Sequence, residues 1–508
     1  MRRSTFNSSP LLRALPACLL ACLPAVAAAH QAEPVPAARQ VLTVDRYADD
    51  EAKGSLRWAI TTANQSPGTY RIEIAAVGAA PYVIKPTRAL PEIKGPVAII
   101  GLPWQQAGQH VAIDGSAYVT GEGTKACPGA VEGQYGTNVR TTTLPGLVLR
   151  DTQGVELAGL EVRDFCIGVL VNRASGSEIH DNRIVANKGG AGVMLTGDDG
   201  TGQSTATTTI HNRIVRNEFI DNGDGLELTR GAAWNLVADN VFRSTDANAE
   251  PSQGIEILWG NDNAVVGNRF ENYSDGLQIN WGNRNFISAN TFTGNSIGVS
   301  LTGRDNVVEG NTITGNGIGV AVRPQPTSLP NRISANLISG NGLKIERCQA
   351  GGACVPGQQR GAIVFGVPGL EHAIFVGSRG IGVDPDPAKK ANICGDHVND
   401  NCQPAPNGGI VAPVIDSARR NGKGLSIDGH FSGVASTVHR IEVFGNAKAS
   451  DDEAARYLGS LSVATDAQGQ GRFNYTADDA TGIGGITSTV TALDGATSPL
   501  SAPRAVSR

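Results

Sequence analysis

Glu227 and Glu256 occupy the same place in two copies of one phrase, Gly225-Leu-Glu-Leu and Gly254-Ile-Glu-Ile. If the phrase is a strand, alternation sends Leu226 and Leu228 to one face and Glu227 and Thr229 to the other, and the next copy repeats this for Glu256. In a third copy, Gly276-Leu-Gln-Ile, the outward places fall to Gln278 and Asn280. Stacked parallel strands lie about 4.8 Å apart, which sets the two carboxylates side by side. Two carboxylates that close do not both ionise freely, so one keeps its proton near neutral pH. That is the pairing general acid/base chemistry requires. The competing reading is a pair of solvated surface charges, the usual state of outward glutamates on a sheet.

Other residues around the same phrases favour chemistry. Trp259 and Trp281 hold equivalent places in successive copies, in a chain with 5 tryptophans, and a stacked exposed pair can wall a pocket for a flat ring. Arg230 follows the Glu227 phrase and offers a planar fork suited to a carboxylate. The spacing is also swollen here: the step from Gly192 to Gly225 is 33 residues and the step to Gly254 is 29. The excess, at 198–208 and 243–252, is expected to project as loops on the binding face. Asp198, Asp199, Asp224 and Asp275 sit at turns flanking this surface and could hold a divalent cation through oxygen ligands, although aspartates also stabilise turns. His180 and His211 are further candidates for proton transfer, but they fall at different phases of the repeat. There is no Gly-rich phosphate loop and no Ser or Cys nucleophile with an evident base.

These side chains need an element that repeats. Gly225, Gly254, Gly276, Gly298 and Gly319 recur at steps of 29, 22, 22 and 21 residues, and a second phrase, Asn-x-apolar-x-x-Asn, runs in step from Asn212 to Asn336. A period near 22 with short alternating segments is one turn of a parallel β-solenoid, whose coils bury their apolar side chains only by stacking. The fold expected is all-β, a right-handed parallel β-helix over 111–383, with a cap and first coils over 41–110. The stacked asparagines are expected to bond to one another and to turn backbone. Leu56, Ala59, Ile60 and Ala63, at helical spacing behind Ser55 as N-cap, predict a short helix covering the first coil. Its exposed strand edge would otherwise invite aggregation. A Cys-, Pro- and Asn-rich linker is expected at 384–409. Beyond it, strand-like runs at 425–427, 440–444, 458–463, 472–475 and 486–492 suggest a small C-terminal β-sandwich, read as a stabilising or docking appendage.

Residues 1–29 carry a basic start, an apolar run and Ala27-Ala28-Ala29, the marks of a cleaved secretory signal. No other segment is long and apolar enough to cross a bilayer, so export to the periplasm is expected. Of the 8 cysteines, Cys18 and Cys22 leave with the signal. Cys348 and Cys354, and Cys394 and Cys402, are near enough in sequence for local disulfides, which leaves Cys127 for Cys166. Loss of Arg2, Arg3 and Arg13 takes the formal charge from −5 to −8. Nucleic acid is therefore not an expected partner, and an anionic ligand must be met by a local arginine.

The run Glu250-Pro-Ser-Gln-Gly-Ile-Glu-Ile-Leu-Trp-Gly-Asn-Asp-Asn-Ala-Val-Val-Gly-Asn268, with Glu271-Asn-Tyr-Ser-Asp-Gly-Leu-Gln-Ile-Asn-Trp-Gly282, resembles the periplasmic 3-dehydroshikimate dehydratases of bacterial quinate and shikimate catabolism. So do Asp221-Asn-Gly-Asp-Gly-Leu-Glu-Leu-Thr-Arg-Gly231, Gly189-Gly-Ala-Gly-Val-Met-Leu-Thr-Gly-Asp-Asp199, Phe165-Cys-Ile-Gly-Val-Leu-Val-Asn-Arg173 and Tyr135-Gly-Thr-Asn-Val-Arg140. The similarity extends over nearly the whole mature chain, including Gly361-Ala-Ile-Val-Phe-Gly-Val-Pro368 and the terminal sandwich. It implies a small anionic cyclohexenone as substrate, dehydrated to the catechol acid protocatechuate. It brings no catalytic assignment, so the site roles come from the residues themselves: Glu227 and Glu256 as base and acid, Gln278, Asn280 or a metal at the enolate, Arg230 at the ring carboxylate, and Trp259 and Trp281 flanking the ring. Two rivals stand beside it. Parallel β-helices often cleave acidic polysaccharides as lyases or hydrolases with outward carboxylates, and repeat solenoids also serve as non-enzymatic adhesion surfaces. Uronan cleavage calls for an open basic groove several sugars long, whereas the swollen loops cluster around one small region of an acidic sequence, and adhesion does not explain the local Glu/Trp/Arg group.

Overall fold

The computed structural model describes residues 40–66, 68–102, 110–120, 127, 144–187, 190–198, 206–245, 252–322, 330–341, 381–383 and 406–508. The leader 1–29, residues 135–140 and 361–368, Asp199, the four cysteines expected to form local disulfides, most of the linker, and most of the two projecting loops lie outside them. Three parallel sheets of 11, 10 and 9 strands wind as successive faces of one right-handed β-helix. The first sheet runs from Gln40–Val44 to Arg332–Ser334 and the second from Tyr82–Ile84 to Leu337–Ser339. The third carries the longest strands and contains Ala191–Thr196, Asp224–Thr229, Gln253–Leu258, Asp275–Asn280 and Ile297–Leu301 in that stacking order. Strands on either side of residue 110 pair directly, Tyr82 with Val111 and Ile84 with Ile113, so the first coils and the later ones are one stack.

The glycine phrase has a packing cause. Inside the coils Phe219, Phe242, Phe270 and Phe292 stack face to face, with centroids 4.5, 4.9 and 4.7 Å apart. A Cβ on Gly225 would lie 2.6 Å from the Phe242 ring and 2.5 Å from the Gly254 carbonyl oxygen, and Gly254 and Gly276 meet the same obstruction one coil on. Only glycine lets the strand begin against that column. Asparagines mark the corners as expected. Asn182, Asn217, Asn240, Asn268, Asn290, Asn311 and Asn336 form one ladder, each Oδ1 after that of Asn182 accepting from the backbone N–H and the side-chain Nδ2 of the asparagine one coil earlier. A second runs from Asn212 through Asn235, Asn263, Asn285 and Asn306 to Asn331. The ladders satisfy backbone N–H groups that the turns between strands would leave buried and unpaired.

Both ends of the stack are closed. The helix Leu56–Gln65 turns Leu56, Ala59, Ile60 and Ala63 into the core, and Ser55 caps it by accepting from the Trp58 N–H at 3.1 Å. At the other end, sheets of 3 and 4 antiparallel strands enclose a second apolar core around Ile427, Ile441, Phe473 and Ile486. This sandwich is seated on the last coil: Phe444 and Ala454 join the solenoid core. Asn407 continues the second ladder by accepting from the Asn331 N–H, and the Glu453 carboxylate accepts from the N–H groups of Gly340 and Asn341. Cys127 and Cys166 form the disulfide expected, with Cα atoms 5.5 Å apart. Among the described residues no helix is long and apolar enough to cross a membrane.

Candidate active site

The outward face of the third sheet changes character along the stack. In the early coils it is apolar, with Val148, Ile167, Leu170, Ala191 and Met194 packed together; in the later coils Ile297, Ile318 and Ala321 do the same. Between them lies a polar island. Its central row follows the register Met194, Glu227, Glu256, Gln278, Ser300, and a flanking row holds Asp224, Gln253 and Asp275, the last two directly paired. Leu226, Leu228, Ile255 and Ile257 point into the core, as the alternation requires.

Glu227 and Glu256 are register partners, and Asp224 joins them: one carboxylate oxygen from each lies within 4.8 Å of the others. All three are buried, with 2%, 7% and 3% of their surface exposed, so the alternative of solvated surface charges is overturned. An amide network leads away from this group. The Asn280 Nδ2 donates to Glu256 Oε1 at 3.2 Å and to Gln278 Oε1 at 2.6 Å. Gln278 in turn donates through Nε2 to Asp275 Oδ2 at 2.7 Å. Gln253 donates its backbone N–H to Asp224 Oδ1 at 3.2 Å and its Nε2 to Gln278 Oε1 at 3.2 Å. Gln253 and Ser300 were not among the residues expected. Gln253 was legible, since it precedes its phrase glycine as Asp224 and Asp275 precede theirs; Ser300 continues the Gln278 row with a buried hydroxyl that has no hydrogen-bond partner among the described residues.

Beside the island, where the strands end, Arg230, Trp259 and Trp281 form a column. Trp259 and Trp281 stack with centroids 4.8 Å apart and planes 11° from parallel, and the Arg230 Cζ lies 4.5 Å above the Trp259 centroid. Both tryptophans have left-handed backbone, φ 59° and 53°, a conformation bulky residues rarely adopt outside specific sites. The indoles fill the space between each other, so a substrate ring does not enter between them; they form a wall. Arg230 Nη1 stands 3.5 Å from the buried Asp198 Oδ2, which fixes its guanidinium over the indole.

Two further expectations are corrected. His180 lies in the first sheet, between Glu156 Oε1 at 3.1 Å and Asp181 Oδ2 at 2.7 Å, and His211 stacks on Trp234 at an exposed corner, centroids 5.9 Å apart. Neither shares a face with the carboxylates, because the coil turns between the sheets. The aspartates expected to hold a cation do not form one set: Asp198 faces Arg230 and Asp275 anchors Gln278. Among the described residues, the donor set that converges is Asp224, Glu227 and Glu256.

A profile of the right-handed β-helix region matches residues 134–270, and one of the periplasmic copper-binding protein (NosD) matches residues 237–351. The 3-dehydroshikimate dehydratase of Acinetobacter baylyi is 56% identical over 467 residues, spanning 92% of this chain and 95% of that protein. The chain belongs to the 3-dehydroshikimate dehydratase family. Among solved structures, the periplasmic alginate epimerase AlgG is 16% identical over 53% of this chain and 70% of its own, with a TM-score of 0.34. XylC in complex with xylose is 12% identical over 59% and 68%, with a TM-score of 0.40.

Proposed function

We infer that the protein dehydrates 3-dehydroshikimate to protocatechuate, working in the periplasm after export, with its active site on the polar island of the third sheet. The observation that carries the site is the convergence of Asp224, Glu227 and Glu256, buried between two apolar stretches of the same face. Dehydration needs a proton taken from the carbon beside the ketone, the enolate stabilised, and the β-hydroxyl protonated as its C–O bond breaks. One glutamate takes the carbon-bound proton and the other gives its own to the departing hydroxyl. Water leaves, the dienone that results loses a proton from its ring CH2 and gains one on the ketone oxygen to become aromatic, and a proton passing between the two glutamates restores them. Gln278 Nε2 has a second N–H beyond its bond to Asp275 for the developing enolate, whereas both Asn280 N–H groups are engaged by Glu256 and Gln278. Arg230 holds the ring carboxylate, and the Trp259–Trp281 wall shields the flat ring from water. Asp224, Glu227 and Glu256 also form an all-oxygen donor set suited to a hard divalent cation, which would polarise the ketone.

Purified protein given 3-dehydroshikimate is expected to produce the absorbance of protocatechuate. Glu227→Gln and Glu256→Gln are each expected to lower kcat by at least about 10²-fold with unfolding unchanged. Two active variants would place the site elsewhere. Treatment with a chelator separates the two modes: full activity afterwards fits the glutamate pair alone, and loss restored by one added divalent ion fits the cation.

A further inference from the structure

We propose that Ser300 is a further catalytic residue whose hydroxyl, together with the second N–H of Gln278 Nε2, forms a two-donor seat for the enolate oxygen; this rests on the dehydratase reading above. Ser300 lies in the strand Ile297–Leu301, where alternation turns Val299 and Leu301 into the core and leaves Ser300 on the outward face. There it continues the central row one rung past Gln278, and Ala321 follows it. The polar row therefore runs Glu227, Glu256, Gln278, Ser300 and ends against a methyl group. Ser300 is its last hydrogen-bond donor.

The Ser300 hydroxyl is wholly buried, and it has no hydrogen-bond partner among the described residues. Burying a hydroxyl unpaired is unfavourable, and alanine would occupy the same place without that cost. Thr302, the next outward residue of the chain, shows what a structural hydroxyl does here: it donates to the Ile279 carbonyl at 3.0 Å and accepts from the Trp281 N–H at 2.9 Å. Ser300 does neither. Across the rung, Gln278 is pinned at both ends, with Nε2 donating to Asp275 Oδ2 at 2.7 Å and Oε1 accepting from Asn280 and Gln253. A carboxamide nitrogen carries two N–H groups, so one remains. It and the Ser300 O–H stand on rungs about 4.8 Å apart, and an oxygen seated over that gap is within reach of both.

The reaction places charge on such an oxygen. When a glutamate takes the proton beside the ketone, the C–H electrons form a carbon–carbon double bond and the carbonyl electrons move onto the ketone oxygen. They return as the β-hydroxyl departs, taking a proton from the other glutamate to leave as water. The donors must therefore lie close to the glutamates, and Asn280 Nδ2 joins the two groups, 3.2 Å from Glu256 Oε1 and 2.6 Å from Gln278 Oε1. Both donors are neutral, fixed and buried, so they answer a charge that appears only in the transition state. An enolate accepts more strongly than a ketone, which puts their effect in kcat and little of it in KM.

The test uses the full-length protein, with steady-state formation of protocatechuate from 3-dehydroshikimate and urea unfolding measured side by side. Ser300→Ala is expected to lower kcat by about 10²-fold with KM within about threefold of native. Its urea midpoint is expected to be unchanged or higher, because the hydroxyl that it removes has no internal bond to lose. Ser300→Cys keeps the size and offers only a weak donor, so a kcat loss of about tenfold is expected, and this variant carries the test if the alanine variant does not fold. Ser296 is the control, since its hydroxyl is also buried and without a partner among the described residues but precedes the strand, off the row. Ser296→Ala is expected to keep kcat within about twofold of native. A kcat within about threefold of native in either Ser300 variant, a urea midpoint that falls in both, or an equal loss of rate in Ser296→Ala would each overturn the role of Ser300 and leave the dehydratase reading intact. A wild-type protein inactive on 3-dehydroshikimate would remove the reading and this proposal together.

Discussion

Arg230 shows how one side chain is fixed from two directions. The Trp259 face holds its plane and Asp198 Oδ2, 3.5 Å from Nη1, holds its rotation. Lysine at this position keeps the charge but loses the planar stack and the fork. Arg230→Lys is expected to raise KM for the anionic substrate about tenfold or more, with a smaller effect on kcat, read from steady-state kinetics. The residue types of the site were legible because their spacing matched the glycine phrase: Glu227, Glu256, Gln278 and Asn280 share one face. Their burial was not legible, since strand alternation says which way a side chain points and nothing about what covers it. The pairing of Arg230 with Asp198 was hidden for a related reason, as it joins the end of one strand to the start of a loop on the preceding coil. His180 and His211 misled because residue type suggested chemistry while their phase already placed them on other faces.

At the scale of strands and corners, stability comes from columns that repeat along the axis, and each column predicts a cost. Asn240 donates to Asn268 Oδ1 and the Ile214 carbonyl, and its own Oδ1 accepts from Asn217. Asn240→Ala strands buried groups on both neighbours and is expected to cost about 2–3 kcal/mol in urea unfolding. Phe242, stacked between Phe219 and Phe270, is expected to cost about 3–5 kcal/mol when cut to alanine, because rings on both sides lose their contact. Gly254→Ala would drive a Cβ to 2.5 Å from the Gly276 carbonyl oxygen, a backbone atom with no room to yield. The asparagine ladders and the glycine phrase were readable as a period. That the glycines make way for a phenylalanine column was not, because Phe219, Phe242, Phe270 and Phe292 lie on the second sheet, outside the phrase itself.

Over the whole molecule, a solenoid is as secure as its ends, since each coil is stabilised only by its neighbours. The C-terminal strands were expected as a stabilising or docking appendage; the structure seats them on the last coil, where Glu442 accepts from the Ala335 N–H at 2.9 Å and from Arg440 Nε at 3.0 Å. Burial pushes the Glu442 carboxyl above the ordinary glutamate range, against the opposing pull of those two donors. A raised value in the folded state means that its contribution is complete below the unfolded value, about 4.3, and declines as pH climbs through the raised one. The urea midpoint is therefore expected to fall over that interval, and Glu442→Gln, which keeps an acceptor for Ala335 without a charge, is expected to flatten the fall. That the sandwich closes the stack was not legible, because the groups that meet are 107 positions apart in Ala335 and Glu442, and 112 in Asn341 and Glu453.

The seat of Asn407, Glu442 and Glu453 on the final coil also bears on how the chain is born. Synthesis proceeds from the first coil onward, so every rung can form in order while the groups that finish the stack are the last to be made. Until then the growing column presents a row of unanswered amides, so a chain cut short before Glu453 keeps an open strand edge of the kind that pairs with another copy.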